Sequence, residues 1–468
     1  MIELWQRGAG ELAGMIRDGE TTSAEVVEAH LERIDAVNGS LNAVVKVLAD
    51  EARAGAASVD AAVAAGTDPG PLGGVPFTIK ENIDVAGHPT THGLRALAGA
   101  IAPVDAPVVE RMKAAGAVPL ARTNLPDMGL RIHTDNALHG LTRNPWHPDH
   151  TAGGSSGGEG ASLASGMSPI GLGNDLGGSL RNPASCCSIA SIKPSLGRVP
   201  AADTYPATDG SITMQLLAVQ GPMARRVADV RLGLEALAGW HVRDPHSVPV
   251  PLEGPEPGVR RVALVAEPPG GDTDPRIADA VRVAGRALEA AGCEVEEVEA
   301  PRYEEVVQCW RGIVVGDITV ALPQLEPILS EDAVGFLRMA VEMEPEPTLD
   351  SMTMLWMQRQ SLMRDWAVFY TEWDVVLTPT WTHLPFLHGA DVQSPEAVEQ
   401  TLLAARPVMP ANVLGFPSAA VPVGVVDGLP VGALVNGPQW GEMKCLEVAE
   451  MIEAAGLAPA TPIDPTAG

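Results

Sequence analysis

No C-x-x-C pair occurs in this chain, and its five cysteines (Cys186, Cys187, Cys293, Cys309 and Cys445) are an odd number. In a sequence of 468 residues that pattern suggests neither a disulfide framework nor a zinc knuckle. Adjacent Cys186 and Cys187 read as small buried hydrophobes. No uninterrupted apolar run of about 18 residues is present to span a membrane. Met1–Arg7 carries no basic segment leading into an apolar one, so a cytoplasmic protein without membrane contact is expected. Basic residues are scarce: 31 Lys and Arg stand against 59 Asp and Glu, a formal net charge of -28, which repels polyanions and argues against nucleic acid as a partner. Internal repeats are missing too. With 46% hydrophobic and 19% charged residues, the composition is that of a folded globular protein with a large core.

Glycine and serine are concentrated. Gly153-Gly154-Ser155-Ser156-Gly157-Gly158-Glu159-Gly160 is followed by Gly173-Asn174-Asp175-Leu176-Gly177-Gly178-Ser179-Leu180-Arg181. Glycine permits tight turns and close approach at an entropic cost that a plain helix or strand would avoid. Backbone N–H groups freed by such turns can hold a phosphate or the oxyanion of an acyl transfer. This stretch therefore reads as a site.

Along the rest of the chain, 22–38 reads as an amphipathic helix capped by Ser23 with Glu25 in its first turn, and 49–65 as an alanine-rich helix. Residues 73–82 alternate as a strand with Lys80 near its end. A helix over 106–115 leads into a short strand at 118–121, and 122–152 reads as loop. Four histidines fall in that loop (His133, His139, His147 and His150), none at helical metal-ligand spacing, so no metal is expected. Residues 221–239 are expected to form a helix, and the Pro-, Gly- and acid-rich 241–258 marks an insertion or subdomain edge. A strand at 259–266, a helix opening at Asp274-Pro275 and a strand at 293–298 make a βαβ unit. Six methionines between 339 and 363 are expected to be core rather than an adaptable apolar binding wall. A strand entered at 374–377, a hairpin at 419–423 and 431–435, and a helix over 444–455 close the chain. The predicted class is α/β: a central mixed sheet flanked by helices on both faces, in one domain over 1–468 with an insertion or subdomain around 240–400.

A serine hydroxyl is a weak nucleophile and needs a base within reach. No histidine lies in the glycine-rich stretch, but a desolvated lysine can stay neutral near pH 7. Lys80, a bridging serine and a nucleophilic serine would make such a relay. Gly153–Gly157 also satisfies the G-x-S-x-G nucleophile elbow, with His383 or His388 as base, but Pro145 and Pro148 argue against the strand that motif requires. A P-loop fails because no Gly-Lys-Ser/Thr follows the glycines.

The order and spacing of these stretches resemble the amidase signature family. The resemblance rests on Gly153–Gly158, on Gly173 through Arg181, and on Gly74-Val75-Pro76-Phe77-Thr78-Ile79-Lys80-Glu81-Asn82. It continues at Thr142–Trp146, Lys193-Pro194, Gly221–Arg225 and Asn412–Pro417, covering nearly the whole chain and most tightly 70–226. The resemblance implies Ser179 as nucleophile, Ser155 as a bridging serine in a cis peptide, and Lys80 as general base. It implies an oxyanion hole of the N–H groups of Leu176, Gly177, Gly178 and Ser179, with Ser156 supporting the turn and Asp175 and Arg181 fixing the loop. Asn174 stands where the family usually has threonine, and Ser188 and Ser191 where it has glycine. The implied activity is hydrolysis of a carboxamide, without cofactor or metal, and the Met- and Trp-rich region 339–366 favours a small, apolar or aryl substrate. Self-association is left open. The second reading is one component of a tRNA-dependent, glutamine-hydrolysing amidotransferase that works with partner chains.

Overall fold

The computed structural model describes residues 2–204, 210–252 and 260–465. The eleven strands of these residues form a single sheet. In chain order they are β1 (Val44–Val47), β2 (Pro76–Lys80), β3 (Val118–Thr123), β4 (Ile170–Asp175), β5 (Ala190–Lys193), β6 (Val219–Ala224), β7 (Arg261–Leu264), β8 (Glu294–Glu297), β9 (Val375–Pro379), β10 (Ser418–Val426) and β11 (Leu429–Asn436). Their spatial order is β1-β3-β2-β4-β6-β5-β10-β11-β9-β7-β8. β2 runs parallel to β3 and β4, and β7 parallel to β8 and β9; the remaining pairs are antiparallel. This is a mixed sheet.

Side chains alternate between its faces, as strand geometry requires. Val375, Leu377, Ala433 and Val435 enter one buried cluster, while Val376 and Leu434 enter the other. Both faces are covered by helices, as the α/β reading predicts. The expected βαβ unit is present as β7, the helix Pro275–Ala290 capped by Asp274, and β8.

Three expectations need correction. The helix Ser23–Leu41 is capped by Thr22, not Ser23: the Thr22 hydroxyl accepts from Glu25 N at 3.1 Å while Glu25 Oε2 accepts from Thr22 N at 2.9 Å. Ser23 instead donates its hydroxyl to Gly74 O at 2.9 Å. The expected helix over 221–239 begins only at Val227, because 219–224 is β6. Pro222 is tolerated there because the β5 ladder pairs only Ala190 with Ala224 and Ser191 with Met223. The six methionines of 339–363 are core only in part: Met339, Met343 and Met363 are half-buried against the core clusters, and none of the six is fully buried. Met354 and Met357 are 60% and 62% exposed on the helix Leu349–Phe369, which buries only Leu362 and Trp366. Met352, Met354 and Met357 line a groove of about 640 Å³ against Gly312 and Gly316 of the helix Tyr303–Leu325. A Cβ at Gly312 would lie 2.8 Å from Leu355, so small residues bring the two helices together and leave the thioethers at the rim.

By length and composition alone Tyr303–Leu325 could cross a membrane, and 56% of its apolar window is buried inside the fold. Polar residues such as Gln308, Arg311 and Asp317 punctuate the helix, so it holds no uninterrupted apolar run of membrane-spanning length.

The helix Arg181–Cys187 ends at Ser188 in the left-handed region (φ 59, ψ 52), with its hydroxyl buried and without a partner among the described residues. A side chain strains that conformation and glycine does not. Ser188→Gly is therefore expected to stabilise the protein by about 0.5–1 kcal/mol in a denaturant titration. A lower midpoint would contradict this.

Candidate active site

β2 and β4 are parallel, so their carboxyl ends open on the same edge of the sheet, with Ile79 in register with Leu172. That places Lys80, the last residue of β2, beside Asn174 and Asp175 at the end of β4. Lys80 is fully buried. Its ammonium group donates to Ser155 Oγ at 2.7 Å and to Asn174 Oδ1 at 2.6 Å, and Asn174 Nδ2 in turn donates to Asn82 Oδ1 at 2.9 Å. Burial lowers the Lys80 pKa to about 7, against the pull of the Asp175 and Glu159 charges. One layer further in, Glu159 accepts hydrogen bonds from Thr78 and from Thr123, the latter at 2.7 Å. Burial raises its carboxyl to about 7.

Ser155 follows a cis peptide bond from Gly154. The glycines around it serve close backbone approach: a Cβ at Gly154 would lie 2.6 Å from the Ile132 carbonyl carbon, and one at Gly158 2.3 Å from Asn124 N. Thr134 clips the turn, donating to Gly153 O at 2.9 Å and accepting from Gly157 N at 3.1 Å. The hydroxyl of Ser156, expected to support this turn, is buried and has no partner among the described residues, because Thr134 already meets the neighbouring backbone groups.

The loop after β4 is organised by a buried carboxylate. Asp175 Oδ1 accepts from Gly178 N at 2.8 Å, Oδ2 accepts from Leu180 N at 3.1 Å, and Arg181 spans both oxygens at 2.9 and 3.0 Å. Asn412 adds a donor at 2.9 Å. Burial works to raise the Asp175 pKa, but the Arg181 charge and these hydrogen bonds outweigh it and hold the carboxyl at about 2. Arg181 also donates to Val408 O at 2.8 Å and to Asn412 Oδ1 at 2.6 Å.

The N–H of Gly178, expected as an oxyanion donor, is thus directed at Asp175. Among the described residues, those of Leu176, Gly177 and Ser179 have no acceptor. Asn182 ties the two loops together: its Nδ2 donates to Gly154 O at 3.3 Å and Gly177 O at 3.2 Å, and its Oδ1 accepts from Trp381 Nε1 at 2.7 Å. Ser179 is 7% exposed. Lys80 and Ser155 are joined directly, whereas Ser179 Oγ has no hydrogen bond to Ser155 or to any other described residue. No strand immediately precedes Ser155, so the nucleophile-elbow reading lacks its required context.

Sequence reasoning gives no role to Asn82, Asn174, Glu159, Asn182 or Trp381. Asn174 alone carries a signal, as a departure from the family's usual threonine.

A buried lysine hydrogen-bonded to a cis-peptide serine thus lies beside a glycine loop whose N–H groups at 176, 177 and 179 have no acceptor among the described residues. The family model described as Amidase matches residues 25–446. An indoleacetamide hydrolase of Bradyrhizobium diazoefficiens is 42% identical over 96% of this chain and 86% of its own length. One of the subunits of the glutamyl-tRNA(Gln) amidotransferase of Salinispora arenicola is 32% identical over 99% of both. Among solved structures, a bacterial aryl acylamidase superposes with a TM-score of 0.84 at 28% identity, covering 97% of each chain. This chain belongs to the amidase signature family.

Breaking a buried ion pair from one side strands a charge. Arg181→Met is expected to cost about 3–5 kcal/mol of stability, read by denaturant unfolding. A loss below about 1 kcal/mol would mean that amide donors alone hold Asp175.

Proposed function

We propose that the chain hydrolyses the primary amide of a small arylacetamide, of the indoleacetamide kind, through an acyl-enzyme on Ser179. The observation that carries the chemistry is the 2.7 Å contact between Lys80 and Ser155 in a site that keeps the lysine near neutrality. Neutral Lys80 takes the Ser155 proton while Ser155 takes that of Ser179, whose oxygen attacks the amide carbonyl. The N–H groups of Leu176, Gly177 and Ser179 receive the oxyanion. As the C–N bond breaks, the proton returns from Lys80 through Ser155 to the leaving nitrogen, releasing ammonia. Water, deprotonated by the same relay, then cleaves the ester and frees the aryl acid and Ser179. The Ser179–Ser155 hydrogen bond forms when substrate is bound; catalytic hydrogen bonds commonly tighten only then.

The aryl preference is supported by the similarity to the indoleacetamide hydrolase, which exceeds that to the amidotransferase. It is supported also by half-buried Leu130, Ile132 and Leu176 on the loops around Ser155 and Ser179. Gly129 lies against the serine itself: a Cβ there would sit 3.1 Å from Ser155 Oγ. Similarity to the amidotransferase over the full chain keeps glutamine as the second substrate reading.

Ammonia release by the isolated chain from indole-3-acetamide, phenylacetamide, an aliphatic amide and glutamine separates these readings. Arylacetamides are expected to be fastest, glutamine inert, and Ser179→Ala inactive. Turnover of glutamine alone would favour the amidotransferase, and substantial hydrolysis by Ser179→Ala would remove the nucleophile.

The base must be neutral, and the Lys80 pKa is lowered, so activity is lost on the acid side. The kcat/KM for the best amide should fall about tenfold per pH unit below pH ~7 and level off above it. A profile flat from pH 5 to 9 would falsify lysine as the base.

A further inference from the structure

We propose that Trp310 is a positioning residue for hydrolysis, aiming the Gly177 N–H into the site by anchoring the opposite edge of the same peptide plane. The proposal rests on the acyl-enzyme reading above and adds a residue outside the loops that carry it. Trp310 lies on the helix Tyr303–Leu325, is 7% exposed, and donates from Nε1 to Leu176 O at 3.1 Å across a separation of 134 residues.

The peptide between Leu176 and Gly177 is trans, the only cis bond in the described chain being Gly154–Ser155. A trans peptide is a rigid plate whose C=O and N–H point to opposite edges. Holding the Leu176 carbonyl toward the helix therefore turns the Gly177 N–H away from it, where no described residue accepts it. The indole also lies close against Gly177, where a Cβ would sit 2.6 Å from Trp310 Cζ2, but it is the Nε1–H that holds the peptide edge. Two adjacent glycines have no side chains of their own to resist a swing of that peptide.

The next two plates are held the same way. The Gly178 carbonyl accepts from Asn182 N at 2.6 Å, which sets the direction of Ser179 N–H. The Gly177 carbonyl accepts from Asn182 Nδ2 at 3.2 Å, and the Gly178 N–H on the far edge goes to Asp175. Every carbonyl from 176 to 178 is thus braced from outside the loop. Asn182 braces two of them locally; Trp310 braces the third from a distant helix.

Two substitutions separate the hydrogen bond from the packing. Trp310→Phe keeps an aromatic ring and loses the N–H. Trp310→His loses the fused benzene ring and keeps a five-membered ring whose Nε2–H superposes on indole Nε1–H. Both are assayed on the arylacetamide that the native chain turns over fastest, with phenylboronic acid as the probe that forms a tetrahedral adduct on a serine. Since a whole oxyanion donor is worth about 100- to 1000-fold, a misaimed one should cost Trp310→Phe about tenfold in kcat. Its KM should stay within about twofold and its boronate affinity should weaken in step with kcat. Trp310→His should recover most of both. Native kcat in Trp310→Phe, an equal loss in both variants, or a loss of kcat with boronate affinity unchanged would each overturn the proposal. If Trp310→Phe fails to fold, as judged by its melting curve, Trp310→His decides alone: native kcat and boronate affinity support the role and their loss refutes it. Boronate inhibition that persists in Ser179→Ala would instead refute the acyl-enzyme reading, whatever the Trp310 variants do.

Discussion

The site depends on a lysine held out of water without a carboxylate to pair with. Among the described residues Lys80 has hydrogen bonds only to a serine hydroxyl and an asparagine carbonyl, and the negative charges of Asp175 and Glu159 act through space. A paired ammonium would be stabilised and useless as a base; an unpaired one in a dry site gives up its proton. The sheet enforces this. β2 is buried along its whole length, and parallel β4 delivers Asn174 rather than Asp175 to the ammonium. Asp175, one residue on, points to the other side of the strand, where Arg181 neutralises it. The alternation of a β-strand thus separates the proposed general base from Asp175.

The second constraint is that the two reactive loops contain hardly any side chain. Backbone packed on backbone leaves amide groups that must be satisfied or aimed, and the fold assigns that task to a few buried amides and one ion pair. Thr134 fixes the turn before the helix Gly157–Ala164, Asn182 joins the carbonyls of Gly154 and Gly177, and Asp175 with Arg181 and Asn412 holds the turn into Ser179. Each such group is buried and hydrogen-bonded on more than one side, so the loops are rigid in spite of their glycines.

The glycine stretch and the end of β2 are legible because close backbone approach admits few residues. Gly154 and Gly158 cannot be replaced without collision, so their pattern survives in the sequence as a motif. The same holds for the hairpin at Asp427-Gly428, whose φ values of 51 and 78 select those residues. Asn182, Trp310 and Trp381 are not legible. Trp310 and Trp381 each make one side-chain hydrogen bond to a residue brought near only by folding, and Asn182 reaches Gly154 O and Trp381 in the same way, so nothing in local spacing announces them. β6 misleads for a related reason: Gly221-Pro222-Met223-Ala224 has no periodicity of its own and is a strand because β4 pairs along its whole length. The Thr22 cap differs from the expected one by a single residue, the usual uncertainty of a helix end.

The methionine-rich segment departs from expectation differently, and the departure separates the two halves of the molecule. Around Ser155 the backbone itself is the packing surface and a single methyl group is excluded. Between Tyr303–Leu325 and Leu349–Phe369 the packing is by side chains, glycine against Leu355 and Met352, with flexible thioethers at the rim. Thioethers refill irregular space at low cost, so that region can change composition without disturbing the sheet. The helix Tyr303–Leu325 faces both regimes, with Trp310 against the Leu176–Gly177 peptide and Gly312 and Gly316 against the groove. A helix so placed lets the adaptable half of the protein bear on a loop that cannot itself vary. A substitution in this half therefore has a physical route to the proposed oxyanion site, through the aim of a backbone N–H rather than through any change in the serines or the lysine.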